Sequence, residues 1–324
     1  MNSSTFSFKN DGKAFMVVLA VLGVLEICQR MYFSHSHAEA VLLHNFPVLA
    51  DGLAGRPGTS MILLGNSLTQ NGYDMALLRA RLAAAGNGDV HIEKVALSGS
   101  SPIEWYHNFD HCFVRRGETP NVIVINMSPS GIYDDLPAGY RIGWLANETD
   151  WGDVPEVLLD DLNDFEIGGQ YLQARVSMLY ATRWDIRAGV LQKLVPDVWE
   201  GMKWVNNGQP KPKARAGPAG SAAGEPVRSY SLLIRMLELA KKNTARPIFV
   251  AMPARDTYSI EPGLPDIIKK YDGVFIDART IPGLTAAGFE DSWHLNPEGA
   301  KVFTPFMAEK LGEIGSTKRG LVGK

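Results

Sequence analysis

Residues 61–68 read Met-Ile-Leu-Leu-Gly-Asn-Ser-Leu, and this stretch decides the fold class. Met61–Leu64 is a short run of apolar side chains, which predicts a strand buried on both faces of a sheet. Gly65 and Asn66 then form a turn of small residues, which places Ser67 directly behind the strand end. A serine hydroxyl in that position is a candidate nucleophile.

A second informative stretch lies near the other end of the chain, where Asp291-Ser-Trp-His294 precedes Leu-Asn-Pro297. A histidine can accept the proton of a serine hydroxyl, and a carboxylate can hold the imidazole ring in the tautomer that does so. Asp291 and His294 are three positions apart, so they can meet only if the short loop between them curls. With Ser67 they predict a nucleophile, a general base and an orienting carboxylate.

The segments between and around these motifs alternate between strand-like and helix-like patterns. Such alternation is typical of a parallel sheet with helices on both faces. We therefore predict an α/β fold, a three-layer α/β/α arrangement around a parallel sheet. The predicted strands are Met61–Leu64, Val90–Leu97, Val122–Ile125, Pro247–Met252 and Val274–Ile276, and the predicted helices include Asp74–Gly86, a helix opened by Ser101 and Pro102, Ser229–Lys242 and Pro297–Leu311.

The alternation is interrupted once. Residues 58–315 are predicted to form one α/β domain, with a helical insertion at about 134–205. The insertion carries a long helical pattern from about Gln170 to Leu194. Residues 206–226 are dominated by Gly, Pro, Ala, Lys and Asn, a composition typical of a mobile loop.

The N-terminal segment carries the information on location. Two lysines precede the apolar run Ala14–Leu25. This run is about 18 Å long as a helix, short against the roughly 30 Å of a bilayer core. A helix that continues to Phe33 is long enough to cross a bilayer, but it includes Glu26, Gln29 and Arg30 near one end. Long polar side chains at that end can reach the headgroups.

This segment predicts an uncleaved signal anchor, with residues 1–33 forming a cytoplasmic tip and a span, and residues 34–57 forming a connector to the domain. The lipid bilayer would then be a partner through residues 14–33. The lysines favour a cytoplasmic N-terminus by the positive-inside bias, which places everything after Phe33 outside. A cleaved signal peptide and a buried core helix are the alternatives; the positive start and the length of the run fit a signal peptide, but no convincing Ala-x-Ala cleavage site follows the run.

Composition excludes some classes of partner. A formal net charge of −3 offers no general attraction to phosphates, so nucleic acid is not an expected partner. Cys28 and Cys112 are too few for a disulfide framework or a thiolate cage. His107 and His111 lie one helical turn apart beside Glu104, but the pattern favours a half-buried helix face over a metal site. No metal and no cofactor are predicted.

Polar or small residues follow several predicted strands. They are Gly65–Ser67, Ser98–Ser100 and Asn126–Ser130, with the loop of Asp291 and His294 as a fourth group. In open parallel sheets, ligands bind outside the carboxyl ends of the strands. We therefore expect these loops to converge on one edge of the sheet.

These blocks resemble the SGNH, or GDSL, hydrolase superfamily. Gly65-Asn-Ser-Leu68 is similar to its first block, with asparagine where aspartate is usual. Gly99 matches its glycine block, and Asp291-x-x-His294 followed by a helix matches its last block. The resemblance covers about residues 60–131 and 229–312, and it implies the superfamily's flavodoxin-like α/β/α sheet.

The resemblance also implies roles for these residues. Ser67 would attack an ester carbonyl, His294 would take its proton and return it to the leaving group, and Asp291 would orient the imidazole. The backbone N–H groups of Ser67 and Gly99 would face the oxyanion, where one donor is typically worth roughly 10²–10³ in rate.

The third block departs from the superfamily's pattern, which usually supplies an asparagine amide to the oxyanion hole. Laying that pattern after the strand Val122–Ile125 puts Ser130 at the asparagine position. Asn126 is nearby but falls too early by this count. The third donor is therefore either Ser130 or Asn126.

A signal-anchored domain of this kind resembles bacterial proteins that add or remove O-acyl groups on envelope polysaccharides. The resemblance implies a serine esterase or O-acyltransferase that acts on an acylated carbohydrate or polysaccharide, with acetyl as the expected acyl group. It would be a single-pass protein of the bacterial inner membrane, with its catalytic domain in the periplasm or outside the cell. A membrane-bound acyl-transfer or polysaccharide-assembly partner is implied. The alternatives are an inactive SGNH-like scaffold in such an assembly and a cytosolic lipase-type hydrolase.

Overall fold

The computed structural model describes residues 8–127, 136–137, 139–195 and 230–322. Its centre is a sheet of five parallel strands in the order β2-β1-β3-β4-β5. The strands are β1 Thr59–Gly65, β2 Val90–Ala96, β3 Val122–Met127, β4 Arg246–Ala251 and β5 Val274–Asp277.

Helices flank the sheet, and several begin at a residue whose side chain caps the N-terminus of the helix. Asp74 accepts a hydrogen bond from the backbone N–H of Leu77, and Ser101 forms a capping box with Glu104. The helices are α1 Phe8–Ser36, α2 Ala38–Ala54, α3 Ser67–Gly72, α4 Met75–Ala84, α5 Pro102–Phe109, α6 Arg141–Glu148, α7 Val154–Glu156, α8 Phe165–Val176, α9 Met178–Ala181, α10 Arg183–Leu194, α11 Ser231–Lys242, α12 Leu264–Lys270 and α13 Pro297–Val322.

Each face of the sheet has its own apolar core, because side chains alternate along a strand. On one face Ile62, Leu64 and Ile125 belong to a cluster completed by α2, α5, α11 and α12. On the other face Leu63 and Val124 belong to a cluster completed by α3, α4 and α13. β1 and β3 are continuously apolar at Met61–Leu64 and Val122–Ile125, since both of their faces are covered there. The predicted three-layer α/β/α arrangement is confirmed.

The carboxyl ends of the strands line up at one edge. Gly65 pairs with Ala96 at the ends of β1 and β2, and Met127 pairs with Ala251 at the ends of β3 and β4. In the sheet, β2 lies on one side of β1 and β3 lies on the other side. The strand order therefore reverses between β1 and β3, the place where open α/β sheets bind their ligands.

The chain divides into two compact units. One comprises residues 1–41, 138–147 and 164–227, and the other comprises 42–137, 148–163 and 228–324. The sheet lies in the second unit. The first contains α1, most of α6 and the helices α8, α9 and α10.

Helix α1 includes an apolar stretch, Gly12–Phe33, that is long enough to cross a membrane. None of its most apolar window is buried in the protein, so α1 does not have the burial of a core helix. The same finding fits a signal anchor or a signal peptide.

Two features of the local structure were not expected from the sequence. The segment predicted as a connector contains α2, whose residues Leu43, Phe46 and Leu53 are buried in the sheet's core. The helical pattern from Gln170 to Leu194 is also not one helix. It breaks at Ser177, where the backbone is extended and the hydroxyl accepts from the N–H of Tyr180 to start α9. The loop predicted at 206–226 lies outside the described residues.

Candidate active site

Ser67 is the first residue of α3 and follows the last residue of β1, Gly65, by two positions. The Asn66 side chain accepts a hydrogen bond from the backbone N–H of Leu68, 3.0 Å away, and so caps the helix. A Cβ atom on Gly65 would lie 2.1 Å from Thr69 Oγ1 and 3.3 Å from the carbonyl oxygen of Asn126. Glycine is therefore required sterically for a turn that is tight enough to present Ser67 at the strand end.

Ser67, His294 and Asp291 form a continuous hydrogen-bonded line. Ser67 Oγ lies 2.7 Å from His294 Nε2, and His294 Nδ1 lies 2.7 Å from Asp291 Oδ2. Ser67 and His294 are partly exposed, and Asp291 is exposed. The serine and the imidazole are thus held together at a surface that a substrate can reach.

The loop between Asp291 and His294 curls around the carboxylate. Asp291 Oδ1 accepts the backbone N–H of Trp293 at 2.7 Å and of His294 at 2.8 Å. The loop is closed at its base by a bridge between Phe289 and Leu295 and by the N–H of Glu290, which donates to the carbonyl of His294. This is the curl that the three-residue spacing requires.

These contacts also set the charge of Asp291. Partial burial alone would raise the pKa of its carboxyl, but hydrogen bonds from the backbone N–H groups of His294 and Trp293 and from the His294 ring outweigh it. The pKa of Asp291 is lowered below its ordinary value of 3.8. The carboxylate is therefore ionised at neutral pH, as an orienter of an imidazole must be.

Gly99 lies in the turn after β2, with φ +69°, a left-handed conformation that favours glycine. Its neighbours tie this turn to the Ser67 segment. The Ser98 hydroxyl donates to the Gln70 side chain at 2.6 Å, and the Ser100 hydroxyl lies 3.2 Å from the carbonyl oxygen of Gly65. The structure thus brings the Gly99 turn against the β1 end, as the strand order predicts.

Asn126 is fully buried near the end of β3. Its Oδ1 accepts a hydrogen bond from the hydroxyl of Tyr73 at 2.6 Å, and its buried Nδ2 has no partner among the described residues. Tyr73 directly follows α3, the helix that begins at Ser67. The other candidate donor, Ser130, lies outside the described residues.

Tyr73 and Gln70 are the neighbours that the sequence did not identify. Gln70 lies one helical turn after Ser67, and this spacing is the signal that could have pointed to it. Tyr73 carries no such signal, because its partner Asn126 comes from another strand 53 positions away.

His107 and His111 do not share a site. His107 is fully buried on α5, and its Nε2 lies 2.7 Å from Asp161 Oδ2. His111 instead faces Asp150 and Asp153, and ligand-type atoms of these three side chains lie within 4.8 Å of one another. Arg115 donates to Asp153, so one of the two carboxylates of this cluster already has a cationic partner.

The arrangement can carry out nucleophilic acyl transfer. A serine hydroxyl is a weak nucleophile until a base removes its proton, and His294 is within hydrogen-bond distance to do so. The ionised Asp291 stabilises the imidazolium that results. A line of nucleophile, base and orienter is the geometric signature of this chemistry.

No family model and no curated protein sequence matches the chain. Solved structures do match it at low identity. The lipase/acylhydrolase from Enterococcus faecalis is 11% identical, with 79% of this chain and 96% of that chain covered and a TM-score of 0.38. A protein assigned to the lipolytic G-D-S-L family from Desulfitobacterium hafniense DCB-2 is 13% identical, with 78% and 99% covered and a TM-score of 0.32.

The acetyl xylan esterase AlAXEase is 14% identical, with 79% of this chain and 98% of that chain covered and a TM-score of 0.34. With TM-scores of 0.38 or less, these likenesses carry no weight for function. The function has to be inferred from side-chain geometry.

Proposed function

We propose that this protein is a serine esterase or O-acyltransferase that works through an acyl-enzyme on Ser67. The observation that carries the proposal is the line of 2.7 Å contacts from Ser67 Oγ to His294 Nε2 and from His294 Nδ1 to Asp291 Oδ2. Ser67 and His294 are 227 positions apart in the sequence, so the fold has to bring them together. Their polar atoms face one another at a partly exposed edge of the sheet.

The first half-reaction forms the acyl-enzyme. Ser67 Oγ attacks the carbonyl carbon of an ester while His294 Nε2 takes the hydroxyl proton. When the tetrahedral intermediate collapses, the bond to the alcohol oxygen breaks and His294 returns the proton to that oxygen. The backbone N–H groups of Ser67 and Gly99 are the proposed oxyanion donors, with Asn126 or Ser130 as the third.

The second half-reaction reverses these steps with a new acceptor. His294 removes a proton from water or from a sugar hydroxyl, whose oxygen attacks the acyl carbonyl. The bond between the acyl carbon and Ser67 Oγ then breaks, and His294 returns the proton to Oγ. Water as acceptor makes the protein an esterase, and a hydroxyl makes it a transferase. We propose an acetylated carbohydrate or envelope polysaccharide as the substrate class, since the site is partly open at an exposed edge where a polymer can approach.

We further propose that α1 is a signal anchor and that the sheet-containing unit lies outside the cytoplasm. An exposed apolar helix of this length supports the anchor. Resistance of the full-length chain to carbonate extraction, with a protease-accessible C-terminus in spheroplasts, is the expected result. Release by carbonate would remove the anchor; a C-terminus that stays protease-accessible in spheroplasts would then indicate a cleaved signal peptide, and a protected one a cytosolic hydrolase.

Labelling with a fluorophosphonate probe tests the proposed nucleophile. Wild-type protein should be labelled, and Ser67→Ala should not be. Ser292→Ala is the matched control, because Ser292 lies between Asp291 and His294 and should leave labelling unchanged. Equal labelling of wild type and Ser67→Ala would remove Ser67 from the mechanism, and a wild type that does not label would favour an inactive scaffold.

A further inference from the structure

Three polar residues interrupt the apolar helix α1 and are bound by one segment of the same unit. The Glu26 carboxylate accepts the backbone N–H groups of Met178 at 2.7 Å and Leu179 at 3.1 Å, and the hydroxyl of Ser177 at 3.0 Å. The binding segment is the turn between α8 and α10, residues 176–182. We call this segment the docking turn.

The other two polar residues make the same connection. Gln29 Nε2 donates to Thr182 Oγ1 at 2.9 Å, and Arg30 donates to the carbonyl oxygen of Val176 at 3.0 Å. Glu26, Gln29 and Arg30 are spaced by three and four positions, so they share one face of α1. Both ends of the docking turn are therefore fixed to one stripe of the apolar helix.

The depth of this stripe follows from helix geometry. The span Gly12–Phe33 is about 33 Å long, close to the roughly 30 Å of a hydrocarbon core. The purely apolar part ends at Leu25, so a bilayer cannot be crossed without including the polar stripe. Glu26 lies about 10 Å before the end of the span, at 1.5 Å per residue.

The hydrogen bonds of a polar stripe at that depth are satisfied either by headgroups that long side chains reach or by protein, since lipid chains supply no donors or acceptors. The docking turn supplies them. It must then lie at the same depth, within the outer edge of the hydrocarbon layer rather than above the membrane.

The helices joined by the docking turn have the surface that such a position requires. Large apolar side chains on α8, α10 and the residue after α10 are exposed, and α10 has no buried residue at all. α10 also carries three basic residues against one acidic residue, and Arg183 and Arg187 lie over the ring of Trp184. Tryptophan, basic residues and exposed aliphatic groups are typical of helices that lie at a membrane interface. The exposed apolar residues are Phe165, Leu172, Val176, Trp184, Ile186, Val190, Leu191, Leu194 and Val195.

We infer that residues 165–195 form a membrane-embedded element that lies in the outer headgroup layer and the adjoining hydrocarbon, pinned there by the polar stripe of α1. The occupant of its exposed apolar surface is the phospholipid bilayer in the leaflet from which α1 emerges. This inference rests on the proposed signal anchor. It is independent of the proposed catalytic chemistry.

Site-directed spin labelling of the full-length protein tests the inference. Single cysteines are introduced in a Cys28→Ser, Cys112→Ala background, and the protein is placed in nanodiscs of phosphatidylethanolamine and phosphatidylglycerol. Leu194→Cys is the test position. Leu159→Cys is its matched control, because Leu159 in the other unit is 71% exposed against 74% for Leu194. Leu22→Cys, inside the apolar run, is the standard for lipid.

Relaxation by oxygen and by a water-soluble nickel chelate then reports the surroundings of each label. We expect labels at Leu194 and Leu22 to be relaxed mainly by oxygen and the label at Leu159 mainly by the chelate. A label at Leu194 that behaves like Leu159 would overturn the inference and leave the anchor standing. Protection of the Leu194 label from both agents would also overturn the inference, because it would show that a protein covers this surface. A label at Leu22 that is relaxed mainly by the chelate would contradict the anchor itself.

Discussion

Asp291 and His294 contact each other twice, once through the ring and once through the backbone. Asp291 Oδ2 lies 2.7 Å from His294 Nδ1, while Oδ1 accepts the backbone N–H of the same histidine at 2.8 Å. One carboxylate therefore fixes both the position of the residue and the tautomer of its ring. The remaining nitrogen, Nε2, is left to face Ser67.

Asp291→Asn should separate these two functions. The amide oxygen can still accept the backbone N–H groups, but the amide nitrogen favours the imidazole tautomer that cannot take the Ser67 proton. We expect the rate of fluorophosphonate labelling to fall by up to roughly 10⁴-fold. Glu290→Gln makes the same chemical change one position away on an exposed side chain and should label at the wild-type rate. Similar rates for the two variants would contradict the orienting role of Asp291.

The lowered pKa of Asp291 predicts how its contribution to stability depends on pH. Its folded pKa lies below its unfolded value, so its contribution is fully present above the ordinary pKa of 3.8 and is lost as pH falls through the folded pKa. The difference in free energy of unfolding between wild type and Asp291→Asn should therefore be constant near neutral pH and shrink only below about pH 4. Urea titrations across that range measure it. A difference that shrinks between pH 7 and pH 5 would show that the pKa is not lowered.

Gly65→Ala should damage both stability and labelling. The new Cβ atom would lie 2.1 Å from Thr69 Oγ1, so the turn before Ser67 must shift. Overpacking of this kind typically costs about 1–3 kcal/mol. Thr69→Ala removes that oxygen, and the double variant should recover part of the loss. Gly88→Ala, where the nearest atom is 4.0 Å from the added Cβ, is the control that should change neither property.

Tyr73→Phe tests whether Asn126 is the third oxyanion donor. The change leaves Asn126 Oδ1 buried without its 2.6 Å hydrogen bond, which typically costs about 1–3 kcal/mol of stability. If Asn126 Nδ2 stabilises the oxyanion, loss of its orientation should also lower kcat on a generic ester with little change in KM. Tyr271→Phe, at a half-buried tyrosine whose hydroxyl donates to Glu238 at the surface, should leave kcat unchanged. A less stable Tyr73→Phe protein with wild-type kcat would give Asn126 a purely structural role.

Glu26→Leu tests the attachment of the docking turn to α1. The variant lengthens the apolar run and removes the acceptor for the N–H groups of Met178 and Leu179. We expect a spin label at Leu194 to move toward water, with more relaxation by the chelate and less by oxygen. A Val18→Leu variant changes an exposed apolar residue of the same helix and should not move the label. An unchanged depth in Glu26→Leu would show that the carboxylate does not hold the turn.

The sheet could be predicted from the sequence because strands covered on both faces are uninterrupted apolar runs. Met61–Leu64 and Val122–Ile125 are such runs, and they lie at the centre of the sheet. The ends of the strands were predicted less accurately. β1 begins two residues earlier, at Thr59, because Thr59 and Ser60 pair with β2 even though their side chains are polar and only half-buried.

Helix α2 and the break at Ser177 could not be predicted in the same way. Pro47 lies inside α2, and a proline in a helix interior normally argues against a helix. Packing of Leu43, Phe46 and Leu53 against the sheet stabilises this helix, and that packing depends on distant residues. At Ser177 the helical pattern of the sequence continues, yet the helix ends. The Ser177 hydroxyl donates to Glu26 and accepts the N–H of Tyr180, which starts the next helix.

Some contacts of the candidate site could be predicted from residues that are close in the sequence, whereas others depend on residues that are far apart. Asp291 and His294 were expected to meet through a curled loop, and the structure brings them together. The loops of Ser67 and Gly99 were expected at one edge because parallel strand ends converge. The Tyr73–Asn126 contact had no counterpart in the sequence, because two side chains in different elements leave no periodic pattern.

The base of the His294 loop is closed by its own contacts, whereas Ser67 lies 227 positions away in the sequence. The imidazole and its carboxylate can thus be in place as soon as a short C-terminal segment orders. The serine reaches them only when the first strand has docked into the completed sheet. Covalent labelling of Ser67 would therefore also be a conformational sensor. In a destabilised variant, the labelled fraction would report how many molecules have finished folding, without any purified substrate.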